Sequence, residues 1–342
     1  MNTKKVLLTG GAGYIGSHTA VALIEKGFEP VIVDDLRNSH SFVISNIEAI
    51  VGRKVVFHQV DCCDETAMKS VFEEHVCFVG VIHFAAYKAV GESVEHPTMY
   101  YKNNIQSLVL ILDLMKDYKV DNFIFSSSCT VYGVPDQIPV IEATPMKEAS
   151  SPYGYTKQVG ERICTDWSNA NESKITLLRY FNPVGAHESA LLGELPIGKP
   201  QNLVPFIMQS AIGKLGSLTV YGSDYDTRDG SCIRDYIHVV DLAEAHVRAL
   251  EKSVNDGDQK IVLNLGTGRG ATVLELINAF KERTGQELDY SIGDRRTGDV
   301  PAIYADCSFG ESYINWKSRY SMEDALEHAW KWENYIKENH SN

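Results

Sequence analysis

No stretch of this 342-residue chain approaches eighteen uninterrupted apolar residues, so nothing in it reads as a membrane-spanning helix. The opening MNTKKVLLTGG holds an apolar run of only three residues before Thr9, too short for a secretory signal, and a cytoplasmic location is expected. Cysteine pairs at zinc spacing are also missing. The seven cysteines are an odd number without a CxxC, and the adjacent Cys62 and Cys63 suit no zinc template, which reads as a reduced intracellular set of thiols. Eleven histidines show no HExxH pairing, so no metal centre is expected; His238 and His246 read as core or surface residues around a helix. Positive charge is scarce as well. A net charge of -13 repels nucleic acid and anionic membranes, and neither is expected as a partner, although a few arginines suffice to hold one phosphate. Internal repeats and low-complexity tracts are absent from the sequence.

What is present is an ordinary globular composition, 44% hydrophobic and 23% charged, at a length that favours one large α/β body with a smaller lobe. In the first half, short β-branched runs at 5–9, 30–34, 55–61, 78–84, 122–126 and 175–180 alternate with helical patterns at 14–26, 65–75, 97–118 and 152–170. Runs of Val, Ile and Phe without polar alternation predict strands buried on both faces, hence a doubly wound parallel sheet covered by helices. Within 97–118, Tyr101, Ile105, Leu108, Leu112 and Met115 fall at helical spacing behind Pro97, a good first-turn residue. After Asn182 the pattern loosens, and 185–201 is rich in Gly, Pro and charge and reads as a long loop. The expected division is 1–181 and 182–342, with some later segments packing back on the first domain and a ligand between them at the carboxyl ends of the strands.

Gly10-Gly11-Ala12-Gly13-Tyr14-Ile15-Gly16 follows the first strand and opens the first helix. Glycines there permit a tight turn and close approach to a pyrophosphate, and the helix terminus offers free N–H groups. The second strand ends at Asp34, 18 residues beyond Gly16, where a carboxylate can accept both adenosine ribose hydroxyls and repel a 2′-phosphate. NAD is thereby favoured over NADP, with Arg37 as the residue that could accommodate the extra phosphate. A second glycine run, LNLGTGRG at 263–270, is followed by a helical pattern at 271–281 and by Asp289. Its GxGxG spacing is one residue short of the fingerprint and its βα pattern is isolated, so a structural loop is favoured over a second nucleotide site.

Tyr153 and Lys157 in SPYGYTK are four apart behind Ser151 and Pro152, a cap and first residue of a helix, so they share one face. An ammonium beside a phenol favours the phenolate, which can then exchange a proton with a sugar hydroxyl. Alone, this spacing more often marks a solvated helix face. Behind a dinucleotide turn it reads as hydride chemistry. The FIFSSS run brings serines to the same edge, where Ser128 could bond the reacting oxygen or simply cap a turn.

Taken together, GGAGYIGSH, IHFAAYKAVGES, FSSSCTVYG, SPYGYTK, LRYFNPVGAH, RDYIHVVDLA and RRTGDVPA resemble, in order and from Lys5 to about Asp306, the motifs of the UDP-glucose 4-epimerase family of extended short-chain dehydrogenases. The resemblance implies an isomerase that inverts C4 of UDP-glucose and UDP-galactose through a transient 4-keto sugar, with resident NAD, a Rossmann-type first domain and a smaller mixed α/β lobe for the UDP-sugar. It places Gly10, Gly13, Tyr14, Ile15 and Gly16 at the pyrophosphate, Asp34, Asp35, Asn38 and Ser39 around the adenosine ribose, and Asp61 and Cys62 beside the adenine. Phe84, Ala85, Ala86, Lys88, Asn103 and Phe181 complete the cofactor wall, and Lys88 also borders the substrate. Ser128, Tyr153 and Lys157 match the catalytic set. Asn182, Asn202, Leu203, Tyr221, Arg234, Arg296 and Asp299 fall on positions that hold UDP, chemically reasonable for a diphosphate, a uracil ring and hydroxyls, though an arginine alone reads as a surface ion pair. A homodimer through the helices at 97–118 and 152–170 is implied as well.

Three departures from the family pattern stand out. Tyr155 replaces a common lysine on another helix face. Cys129 replaces an alanine after Ser128, a small-for-small change or an oxidisable thiol. Ile303 stands where a tyrosine restricts the sugar pocket and small residues admit a 2-acetamido group, so weak acceptance of UDP-N-acetylhexosamines is expected. A sugar-nucleotide 4,6-dehydratase of the same fold would carry Asp-Glu where this chain has Cys129 and Thr130, and a non-catalytic NAD-sensing regulator would lack the tyrosine or lysine.

Overall fold

The computed structural model describes residues 4–296 and 299–340. Its first half winds as β1 (Lys4–Thr9), α1 (Tyr14–Glu25), β2 (Phe28–Val33), α2 (Phe42–Val51), β3 (Val56–His58), α3 (Glu65–Glu74), β4 (Phe78–His83), α4 (Val90–Glu95), α5 (Pro97–Asp117), β5 (Asn122–Ser128), α6 (Pro152–Asn171) and β6 (Lys174–Tyr180). The second half contributes β7 (Asn182–Val184), α7 (Leu203–Ala211), β8 (Leu218–Tyr221), β9 (Ile233–His238), α8 (Val239–Asp256), β10 (Lys260–Leu265), β11 (Gly270–Thr272), α9 (Val273–Thr284), β12 (Tyr290–Gly293), β13 (Ala302–Ile303), α10 (Ser308–Tyr313) and α11 (Met322–Asn339).

Seven strands form one parallel sheet in the order β10-β6-β5-β4-β1-β2-β3. Alternate residues explain why it is buried twice. Val6 and Leu8 enter a core shared with Ala20, Ile47 and Leu250 on one face, while Leu7 joins Val71, Leu108 and Cys164 on the other. The chain crosses from one side of β1 to the other between β3 and β4, leaving a crevice at the carboxyl ends of β1 and β4. A mixed sheet, β11-β9-β13 with β7 also on β9, and the parallel pair β8–β12 make the smaller lobe. No helix among the described residues is long and apolar enough to cross a membrane.

Several local expectations shift. The third strand stops at His58, whereas β5 runs on to Ser128, so the serines lie within the strand rather than beyond it. The helices α2 and α4 lacked a clear periodic signal; α4 spans only six residues. The second glycine run is not isolated: β10 closes the large sheet beside β6, and its helix starts at Val273. On α5 the buried face is turned towards Tyr100, Asn104, Ser107 and Ile111, with Tyr101 and Ile105 half-buried. Asn104 tolerates burial because its amide bonds Tyr87 N, Tyr87 O and Thr156 Oγ1.

Candidate active site

The glycine turn is fixed by space as much as by conformation. A Cβ on Gly10, whose φ is 68°, would stand 2.7 Å from Ala85 N, and one on Gly16 would stand 2.3 Å from Gly10 O. Gly13 caps α1 without a side-chain acceptor, and the first turn holds no acid of its own, so no side chain of the helix competes for its positive end. That is the arrangement a pyrophosphate requires. Ile15 packs into the core below, and the Tyr14 hydroxyl donates to Gly185 O at 2.7 Å, tying the turn to the second lobe. Phe84, Ala85 and Ala86 follow β4 beside the turn, with Phe84 N bonded to Thr9 O.

At the adenosine corner, Asp34 accepts from Ala12 N at 3.1 Å, Leu36 N at 2.9 Å and Ser39 Oγ at 2.8 Å. Burial raises its pKa above the ordinary carboxylate value against the pull of those bonds. Asn38 stands exposed next to Ser39. Arg37 is already engaged: it pairs with Asp35 and Asp61, donates to Tyr87 Oη at 3.0 Å and Asn103 Oδ1 at 3.3 Å, and lies over the Tyr87 ring. Its charge is met by two carboxylates, which leaves it poorly placed to welcome a 2′-phosphate beside Asp34. Cys62 is buried, and burial holds its thiol protonated.

The three serines at the end of β5 separate into distinct roles. Ser126 meets the Tyr180 hydroxyl, Ser127 donates to Glu161 Oε1 at 2.5 Å, and Ser128 accepts from Thr130 N at 3.2 Å, capping a short turn at Cys129–Tyr132. The Ser128 hydroxyl lies close enough to the Tyr153 phenol to oppose the rise in its pKa. Ser151 caps α6 through Gly154 N at 3.1 Å and Pro152 starts it, which sets Tyr153 and Lys157 on the face towards β5. Lys157 Nζ donates to Ser126 O at 2.7 Å and sits 5.9 Å from the Tyr153 ring centre. Burial lowers Lys157 to about 8 and raises the Tyr153 phenol, the latter helped by Tyr180 and opposed by Ser128. The lowering of Tyr153 expected from Lys157 is not found among the protein's own groups: burial raises the phenol and only Ser128 opposes it, so a phenolate needs further positive charge beside it.

Lys157 is braced from one turn further along. Glu161 binds Arg179 through Nε at 2.8 Å and Nη2 at 2.6 Å, both side chains buried, locking α6 to β6. The i, i+4 step from Lys157 to Glu161 is the signal that could have found this brace.

On the UDP side, Arg234 donates to Ile233 O at 2.8 Å and Val300 O at 2.7 Å, 3.7 Å from Asp299. Arg296 pairs with Asp299 at 2.7 Å and lies over the Tyr221 ring at 5.6 Å. These four residues are brought together, although Arg296 makes the ordinary ion pair that an isolated arginine suggests. Thr297 and Gly298 of the RRTGDVPA motif lie outside the described residues. Asn182 opens β7, Asn202 and Leu203 open α7, and Ile303 is buried with Cys129 and Phe181 next to the short turn at Cys129–Tyr132. Burial pushes the Cys129 thiol up to about 12, so it is a small apolar filler rather than a reactive group. Glu194, one of two acids in the long loop and without a sequence signal of its own, accepts from Lys88 at 2.9 Å and Asn202 at 2.7 Å. It joins Lys88, beyond β4, to Asn202 at the start of α7.

The second glycine run binds an anion, but the protein's own. Thr267 N, Gly268 N and Ala305 N all donate to the Asp235 carboxylate, at 2.8, 3.2 and 3.3 Å, with Thr267 Oγ1 at 2.7 Å. The loop amides that could have cradled a phosphate are occupied, which explains a fingerprint-like sequence without a second nucleotide site.

The sequence model of the NAD dependent epimerase/dehydratase family matches residues 6–266. The chain is 49% identical to the UDP-glucose 4-epimerase of Schizosaccharomyces pombe over 333 residues, covering 96% of this chain and 93% of the relative. Its fold is similar to that of the UDP-glucose 4-epimerase from Bifidobacterium longum in complex with NAD+ and UDP, with a TM-score of 0.93 and 45% identity over 97% of this chain and 98% of that one. The enzyme from Stenotrophomonas maltophila, with bound NAD and formylated UDP-arabinopyranose, gives a TM-score of 0.95 and 46% identity over 98% and 99%.

Proposed function

The chain belongs to the NAD dependent epimerase/dehydratase family, and from that premise we infer that it interconverts UDP-glucose and UDP-galactose by inversion at C4, through a transient 4-keto sugar and with tightly bound NAD. The observation that carries this reading is the meeting of Ser128, Tyr153 and Lys157 at the strand edge beside the uncapped glycine turn.

Gly10, Gly13, Tyr14, Ile15 and Gly16 would hold the pyrophosphate, Asp34, Asp35, Asn38 and Ser39 the ribose, Asp61 and Cys62 the adenine, and Phe84, Ala85, Ala86, Lys88, Asn103 and Phe181 the remaining wall. Bound there, NAD supplies a hydride acceptor and donor for C4 of the hexose. Tyr153 exchanges a proton with the C4 hydroxyl, and Ser128 bonds the same oxygen. Lys157 supplies positive charge along the face of Tyr153 and is fixed by Ser126 O. Arg234 and Arg296 hold the diphosphate, Tyr221 faces the uracil, and Asn182, Asn202, Leu203 and Asp299 line the rest. Anchoring by UDP leaves the hexose free to turn and present its other face to Tyr153, a use of remote binding energy for the reacting centre. The dehydratase reading lacks its acid–base pair, since Cys129 and Thr130 occupy those positions.

The division into 1–181 for NAD and 182–342 for the UDP-sugar is part of this reading, as are a cytoplasmic location, consistent with seven free cysteines, and a homodimer. The outer faces of α5 and α6 support the dimer, with Tyr155 and Val109 exposed and Tyr101 edge-on to Tyr155. The test of activity is conversion of UDP-galactose to UDP-glucose by purified protein without added NAD, with no NADH accumulating in solution. Tyr153→Phe should lower kcat by about 10²–10⁴-fold while UDP-hexose still binds; full activity in that variant overturns the assignment of the base.

A further inference from the structure

Away from the cofactor edge, three metal-ligating side chains converge where β3 meets the end of α3. His58 closes β3, Glu74 ends α3, and His75 caps it. The Nε2 atoms of His58 and His75 lie 2.7 Å apart, and Glu74 Oε1 lies 3.6 Å from His75 Nε2. All three donor atoms fall within 4.8 Å of one another. His75 is buried against the sheet, while Glu74 is exposed, so the cluster opens to solvent on its carboxylate side.

The two imidazoles face each other through Nε2 in one hydrogen bond, whose donor is set by the tautomer. A cation in their place would take both lone pairs and the carboxylate as well. Around a tetrahedral ion with ligands at about 2.0–2.2 Å, neighbouring donors stand roughly 3.3–3.5 Å apart. The His75–Glu74 spacing is already close to that, and the two rings need to part by about 0.6–0.7 Å. Lys5 and Glu29 are the other charges facing His75, from β1 and β2, and they oppose each other.

We propose that His58, Glu74 and His75 form a binding site for a divalent transition metal of the zinc class, with water in the fourth position. Two imidazoles and one carboxylate suit zinc, whereas magnesium prefers all-oxygen ligands. Because none of the three residues belongs to the catalytic or cofactor set, the ion would act as a clip. It would tie the end of β3, three residues ahead of Asp61, to the end of α3.

The test is calorimetric titration of metal-stripped, NAD-loaded protein with zinc chloride, with magnesium chloride in parallel. We expect one zinc bound per chain, little response to magnesium, and a zinc-dependent rise in Tm. His58→Gln should weaken zinc binding by about 10-fold or more and abolish the Tm shift, with epimerase activity unchanged to report an intact fold. Cys77→Ser and Cys63→Ser should bind as the wild type does, since both thiols lie close in sequence yet outside the cluster. The proposal is overturned if zinc fails to bind, if His58→Gln and Glu74→Gln bind it undiminished, or if Cys77→Ser alone removes it.

Discussion

The proposed catalytic residues show how far burial can oppose a charge that the spacing alone suggests. Lys157 stands by the Tyr153 ring with its ammonium committed to Ser126 O, and desolvation raises the phenol regardless. Ile303 illustrates the same dependence on surroundings. It is buried with Cys129, Phe181 and Val140, so the room beside the proposed sugar site is set by an apolar wall rather than by one side chain. The wild type should turn over UDP-N-acetylhexosamines with kcat/KM at least about 10-fold below that for the UDP-hexoses, the effect expected of a modest change in pocket volume. Side-by-side kinetics should show Ile303→Ala narrowing that gap and Ile303→Tyr widening it. No detectable acetamido turnover by the wild type ends the tolerance idea.

Among the elements, the turn from β1 into α1 is the one whose sequence and shape are most tightly coupled. Glycine at 16 is required by the carbonyl of Gly10, which a methyl group would meet at 2.3 Å. Moving that carbonyl also moves Gly13 N, bonded to it at 3.1 Å, and with it the first amides of the helix. Gly16→Ala should therefore cost about 1–3 kcal/mol of stability, the usual range for overpacking, and should purify with little bound dinucleotide. Chemical denaturation and NAD content after acid release measure the two effects. An alanine variant with wild-type NAD content would show that the turn has more freedom than its packing indicates.

At the level of the whole molecule, five of the described histidines are buried, and in four of them burial outweighs every partner strongly enough to keep the ring neutral well into the acid range. Burial holds His18, His83 and His238 at about 3 and His246 at about 4. His83 meets Thr9 Oγ1 at 2.8 Å, and His238 caps α8 through Val240 N. In the unfolded chain such groups take a proton near pH 6.5. Between pH 6.5 and about 4 the unfolded state consequently binds more protons than the native one, so these histidines make stability rise with pH and fall on acidification. Each fully shifted histidine contributes a slope of about 1.4 kcal/mol per pH unit in that window. Urea unfolding at pH 7, 6 and 5 should show the loss, and His83→Gln should make the slope below pH 6 shallower by about that amount. An unchanged slope would mean that His83 becomes protonated in the native state.

The sequence by itself determined the sheet, the glycine turn, Asp34 and the Tyr153–Lys157 face, because each rests on local chemistry: apolar runs, a conformation only glycine permits, a four-residue helical step. Tertiary structure decided the rest. Which of three serines faces Tyr153 depends on the twist and end of β5, and the long loop reads as featureless until Glu194 is seen to join Lys88 to Asn202. The second glycine run looked like a phosphate site because its amides are arranged for an anion, and only the fold shows that Asp235 is that anion. His58 and His75 lie too far apart in the chain to signal a shared ligand, and the return of the chain through α3, which His75 caps, brings them face to face. Long-range neighbours of this kind leave no periodic trace in sequence, since their contact is set by the path of the chain between them.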